Sequence, residues 1–284
     1  MKRKDFLRLL ALMPLLQFNK GLTQWLATGA SLPYTDALPV FFVGHQDFSR
    51  TPHITPFTSN LRAMGGAVKP AAILVISAHW LTMGDTYVNM NPQFKTVEYP
   101  VTGSPDAARL VMNAVDAKEE SERELDHGAW SVLRHLSPDA AVPVLELSID
   151  MEKPLDYHYN IARQLSSLRK RGVLIVGSGN VVHNLELSAL KVWSRKPYEW
   201  AAEFDAWVKG RIIDRDISSL FQYYRLGKIA DYAVPTMDHY IPMLYCLALC
   251  EKNEEIVFTY EEVIKGMSFR CFRIGAATMS ESKA

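Results

Sequence analysis

Three uninterrupted apolar runs stand out along the chain: Val40–Phe41–Phe42–Val43, Ala71 to Ile76, and Val173–Leu174–Ile175–Val176. A fourth stretch, Val142 to Ile149, carries Val144, Leu145 and Leu147. Unbroken runs of this length suit strands buried on both faces, in a sheet covered by helices. The segments between them have helical spacing instead. Ser104 and Pro105 form an N-cap and first-turn proline, and Ala107, Leu110, Val111, Ala114 and Val115 then make one apolar stripe. A second helix runs through Ile161, Leu165 and Leu168, with a basic last turn at Arg169–Lys170–Arg171 and a stop at Gly172. Further helices are predicted at about 198–213 and 240–250, and closing strands at Ile256–Phe258 and Phe269–Ile274. No internal repeat or low-complexity linker interrupts the pattern. It predicts an α/β fold: a single domain with a central mostly parallel or mixed sheet flanked by helices, and an active site at the strand carboxyl ends.

Composition narrows the class. The chain has 284 residues, enough to bury a sizeable core, with 48% apolar and 22% charged residues, as in ordinary globular enzymes. Its 31 basic and 31 acidic residues cancel, so the basic footprint of a nucleic-acid-binding protein is missing. No stretch reaches the roughly 20 apolar residues of a transmembrane span. The three cysteines make no disulfide framework. Cys246 and Cys250 have the i, i+4 spacing of a metal pair, but without a CxxC or a nearby His they read as small core residues.

The amino terminus is set apart. Lys2, Arg3 and Lys4 precede an apolar run from Leu9 to Leu16, and Ala27, Gly29, Ala30 and Ser31 follow. That layout predicts an export signal, loosely of the twin-arginine type, and a periplasmic or exported protein. The alternative is an amphipathic surface helix on a cytoplasmic protein. Residues 1–35 are therefore read as a signal or N-terminal extension, and 36–284 as the catalytic domain.

The candidate chemistry lies in the histidines. Of eight, His45, His79 and His183 each follow a predicted buried strand, where ligands bind in open α/β sheets. His127 lies in Asp126–His127–Gly128–Ala129–Trp130, and His239 in Pro235–Thr236–Met237–Asp238–His239–Tyr240. Neutral imidazoles suit iron, zinc, copper or nickel, and a mostly histidine site without cysteine fits a catalytic metal better than a structural zinc cluster. His53, His135 and His158 match no such pattern and read as surface or core residues.

These segments resemble a known family. Gly44–His45, Ser77–Ala78–His79–Trp80, Tyr99–Pro100 with Gly103–Ser104–Pro105, and Asp126 to Trp130 are similar to the 4,5-DOPA extradiol dioxygenases, as are Leu147–Ser148–Ile149–Asp150, Ser178 to Leu185, and Pro235–Thr236 with His239–Tyr240. The resemblance, to class III extradiol ring-cleavage enzymes, runs in unbroken order over roughly residues 38 to 275. It implies a non-haem Fe(II) site, with Zn(II) possible there, that opens a catechol-type ring beside its two hydroxyls using O2. By position, His45, His79, His183 and His239 match the family's metal histidines and His127 its acid–base histidine. His183 also matches a general base. One departure falls after the first histidine, where Gln46–Asp47–Phe48–Ser49–Arg50 replaces a Gly-Ser-Pro-Met type loop. Asp47 and Arg50 are solvated loop charges or contacts to a substrate's amino or carboxylate group. Trp80 and Trp130 wall the pocket or serve as core aromatics. A zinc hydrolase on the same histidines and a non-catalytic binding protein of the same fold are the competing readings.

Overall fold

A computed structural model describes residues 32–45, 54–96, 98–190 and 193–276. The predicted export segment before residue 32, Asp47, Arg50 and His53 lie outside the described residues. Residues 32–35 are already tied to the domain. Arg171 donates to the Leu32 carbonyl at 2.9 Å and lies 4.4 Å over the Tyr34 ring, and the Thr35 amide donates to the Lys170 carbonyl at 3.0 Å.

The predicted apolar runs form the centre of an eight-stranded sheet. Strands β1 (Val40–Gly44), β2 (Ala72–Thr82), β5 (Val144–Asp150) and β6 (Val173–Gly179) are mutually parallel, in the order β5-β2-β6-β1. Two short strands, β3 (Tyr87–Asn89) and β4 (Lys118–Glu120), extend the sheet beyond β5, with β3 antiparallel to it. On the other side the predicted closing strands form as β10 (Cys271–Ile274) and β7 (Ile256–Tyr260), both paired antiparallel. A separate hairpin joins β8 (Val263–Ile264) to β9 (Met267–Ser268).

The apolar runs are continuous because both faces are covered. Side chains alternate along a strand, so Val40, Phe42, Leu74, Ile76, Leu145, Leu147 and Ile175 enter one core. Phe41, Val43, Ile73, Val75, Leu174 and Val176 enter the other. The first core is packed by α2 (Pro105–Ala114), α4 (Leu155–Gln164), α6 (Glu199–Ile213) and α9 (Ile241–Ala248). The second is packed by α1 (Pro56–Gly66) and α3 (His127–Leu136). Three short helices, α5 (Leu185–Leu190), α7 (Ile217–Phe221) and α8 (Lys228–Ala233), complete the layers.

Several local expectations hold and some shift. Helices form where spacing predicts them, near 198–213 and 240–250. The helix before Gly172 tightens into a 3₁₀ segment over Leu165–Arg171, and Gly172 takes the left-handed φ of 69° that ends it. Ser104 occupies the N-cap position of α2, but its side chain makes no capping bond. Its backbone is held to β5 instead, the amide donating to the Val144 carbonyl at 3.1 Å. Cys246 and Cys250 are free thiols. The buried Cys246 contacts the Phe41 carbonyl, and burial pushes its thiol up to about 12. Of the surface and core placements left open for them, His135 and His158 take the core one: both are buried. Among the described residues, no helix is long and apolar enough to cross a membrane.

Candidate metal centre

The carboxyl ends of the central strands bring the histidines to one rim. His45 follows β1 directly. His79 does not follow its strand as expected: it lies inside β2, which continues to Thr82. The β2–β5 register is broken between Ile76 and Leu81, and pairing with β6 ends at Ser77. His79 is thus freed from the ladder while the chain stays extended. His183 lies past the end of β6 and bridges to Met267, with its amide donating to the Ala233 carbonyl at 2.9 Å. His239 ends the segment between α8 and α9, and His127 is the first residue of α3.

Asn180 ties these segments together. Its amide donates to the His239 carbonyl at 2.8 Å, and its side-chain nitrogen donates to the carbonyls of His45 at 2.9 Å and Ser268 at 2.8 Å. The His45 amide in turn donates to the Gly179 carbonyl at 2.9 Å. The ends of β1 and β6 and the His239 segment are therefore fixed to one another before any side chain enters the site.

Ring nitrogens of His45, His79 and His239 all lie within 4.8 Å of one another, the described group able to hold a metal ion. For His45 and His239, hydrogen bonds on the far side of the ring set the tautomer. The Ser178 hydroxyl donates to the Gly128 carbonyl at 2.7 Å, which leaves its oxygen to accept from His45 Nδ1 at 3.0 Å. His239 Nδ1 donates to Asp238 at 3.0 Å, and Thr236 holds the other Asp238 oxygen at 2.5 Å. Both imidazoles then present unprotonated Nε2 atoms. His239 Nε2 is buried without a hydrogen-bond partner, and His45 Nε2 faces His79 Nε2 at 3.1 Å. Converging buried lone pairs with partnered outer nitrogens are what a bound divalent metal requires.

Electrostatics point the same way. Burial, then the charges that His239, His79, His183 and His127 would carry, hold His45 well below the usual histidine range. Burial and His127 bring His79 down to about 4, and burial and His239 bring His183 down to about 3. Burial alone would raise the Asp238 carboxyl, but hydrogen bonds from His239 and Thr236 hold it well below the usual carboxylate range. His45, His79 and His183 are thus held neutral, with the ionised Asp238 carboxylate behind the group.

His183 and His127 flank the group. The His183 ring stacks on His239, and the His127 ring centroid lies 3.9 Å from that of His79 at an interplanar angle of 59°. His183 stands outside the three-histidine group. Trp80 and Trp130 are buried, with Trp80 under the Arg123 guanidinium at 5.3 Å. Sequence reading gave no role to Ser178, Asp238, Asp126 or Asn180, although each lies within a quoted motif. For Asp126 and Asp238 the available signal was an acidic residue immediately before a histidine.

The family description "Catalytic LigB subunit of aromatic ring-opening dioxygenase" matches residues 43–268, which include the five histidines of the site. The chain belongs to the LigB family. A 4,5-DOPA dioxygenase extradiol of Escherichia coli K12 is 32% identical over 263 residues, covering 84% of this chain and 95% of that protein. One of Mirabilis jalapa, of the same name, is 30% identical over 203 residues, covering 65% of this chain and 75% of its own. The crystal structure of an uncharacterized Escherichia coli K12 protein superposes with a TM-score of 0.73 at 31% identity, covering 84% of this chain and all of that one. The sheet of this LigB-family chain places His45, His79 and His239 at the rim that the sequence motifs mark.

Proposed function

We propose that this chain is a non-haem Fe(II)-dependent extradiol dioxygenase that opens a catechol-type ring with O2. The observation that carries the reading is the convergence of His45, His79 and His239 on one buried point, in a chain of the LigB family. The extradiol names of its relatives support an oxygenase over a zinc hydrolase, and a DOPA-like diol is the substrate class those names suggest.

His45, His79 and His239 would hold the metal, which supplies a site where diol and O2 meet and exchange electrons. The protein's own part is binding and proton movement. Ser178 and Asp238 keep the outer nitrogens of His45 and His239 protonated, so their inner nitrogens stay available. His183 is neutral at physiological pH, because burial and its histidine neighbours disfavour the charged ring. It is the base for a diol hydroxyl entering on the His239 side. His127, exposed at the start of α3, donates a proton from the His79 side as the ring opens.

The test is anaerobic Fe(II) reconstitution followed by a panel of catechols, monitored for oxygen uptake and a yellow ring-opened product. Uptake with stoichiometric product supports the reading. An iron-loaded protein that consumes no oxygen across the panel, or a zinc form that hydrolyses esters or amides instead, contradicts it.

A further inference from the structure

Beneath the amino terminus of α3 lies a fully buried carboxyl that the ring-cleavage chemistry does not use. Glu146 sits in the middle of β5, opposite Val75 of β2, and is 0% exposed. Its neighbours Leu145 and Leu147 point into the first core. Alternation therefore turns Glu146 toward the other face, the side covered by α3. An ionised carboxylate in that place needs a cation or several donors to offset its desolvation. Neither Glu146 oxygen has a donor at hydrogen-bond geometry; the Arg123 charge and the Asp126 backbone amide favour the ionised form, but less than burial and the Asp126 side chain oppose it. The Arg123 guanidinium lies over Trp80 and its Nη2 donates to the His79 carbonyl, while its Nε is buried without a hydrogen-bond partner.

What faces Glu146 is the side chain of Asp126. Asp126 Oδ1 is fully used: it accepts from the Ser77 hydroxyl at 2.8 Å and from the Ala129 amide at 2.9 Å, the capping bond of α3. Asp126 Oδ2 is buried and has no donor. Two acceptor-only groups thus meet in a dry place, each short of a hydrogen. A single proton between them satisfies both, as in other paired carboxyls.

We propose that Glu146 is a positioning residue for the acid–base histidine: it stays protonated and donates to Asp126 Oδ2, locking the carboxylate that caps α3 and anchors Ser77. Burial and the neighbouring Asp126 both raise the Glu146 carboxyl well above the usual range, consistent with a retained proton. The lock acts on both sides of the site. Asp126 precedes His127, and Ser77 lies two residues before His79 on β2, its hydroxyl also accepting from the His79 amide at 3.2 Å. The spacing between the His127 and His79 rings therefore depends on a proton held outside the metal's ligand set.

The role rests on the dioxygenase reading, but its first test does not. Infrared difference spectra of the metal-free protein at neutral pH, wild type minus Glu146→Gln, should show a protonated carboxylic C=O stretch that the variant loses. Its absence from wild type overturns the proposal whatever the enzyme does. In the iron-loaded protein, Glu146→Leu should lower kcat by about 10–100-fold with metal content and KM little changed, as for other outer partners of a site. Glu146→Gln, whose amide can still donate to Asp126, should recover most of that loss. A glutamine variant as impaired as the leucine one, or a leucine variant with wild-type kcat, contradicts the role. Should Glu146→Leu fail to fold, the infrared band and the glutamine kinetics still decide. A band present with no ring cleavage in any form upholds the shared proton and sinks the dioxygenase reading instead.

Discussion

The imidazoles of His183 and His239 lie face to face, ring centroids 3.4 Å apart and planes within 6° of parallel. A histidine binds a metal through a lone pair in its ring plane, so two stacked rings hold their lone pairs in separate, nearly parallel planes. Lone pairs confined to such planes do not meet at one ion lying in both. With His239 Nε2 turned to the three-histidine group, His183 is better placed to move a proton than to ligate. His183→Phe, which keeps a stacking face, is expected to retain metal and lose about 10²–10⁴ in turnover, as for acid–base groups. Iron content that falls as far as in His45→Ala would make His183 a ligand.

Ser178 is the outer partner of His45 and the link from that ring to the Gly128 carbonyl. Ser178→Ala removes the acceptor that selects the His45 tautomer. Metal affinity is expected to drop by about 10–100-fold, the usual cost of an outer-partner change. Competition against a fluorescent chelator measures it, and an unchanged affinity would show that the tautomer is fixed some other way.

How much of this was legible in the sequence differs by layer. The four central strands were readable because each is buried on both faces, which turns a strand into an unbroken apolar run. The short strands β3 and β4 were not, since three residues such as Lys118–Glu119–Glu120 are too few to leave an apolar signature. Helix α3 was missed for a related reason: it is buried along nearly its whole length, so no polar face alternates with an apolar one. The histidines were legible as strand-end residues, but His79 gained its place through a break in the β2–β5 register that no local pattern announces. Asp126, Ser178 and Glu146 act across strands, and single-sequence periodicity carries no information about which strands become neighbours.

Gly128 shows how close the site is packed. A Cβ there would lie 2.7 Å from His79 Cδ2 and 2.7 Å from the Ser77 hydroxyl. Neither neighbour is a flexible side-chain end, since both are held by the site's own hydrogen bonds. Gly128→Ala should displace His79, lowering iron content and turnover together while far-ultraviolet circular dichroism stays native. Full iron and activity in this variant would mean that α3 can shift without moving His79.

Histidines outside the centre set a separate pH limit. Burial brings His158 down to about 4 from its ordinary 6.5. The folded protein thus keeps it neutral while the unfolded chain protonates it. Stability from this group is fully present above pH 6.5 and is lost as pH falls toward 4, by up to ~3 kcal/mol. Urea unfolding of the metal-free protein across that window should show a smaller acid loss for His158→Gln than for wild type. Equal slopes would show that His158 titrates alike in both states.

The most direct test of the metal centre is the iron bound after anaerobic Fe(II) reconstitution in wild type and in His45→Ala, His79→Ala and His239→Ala. Near-stoichiometric iron in wild type and little in all three variants is the predicted result. Wild-type iron content in any one of them would remove that histidine from the ligand set and contradict the three-histidine centre.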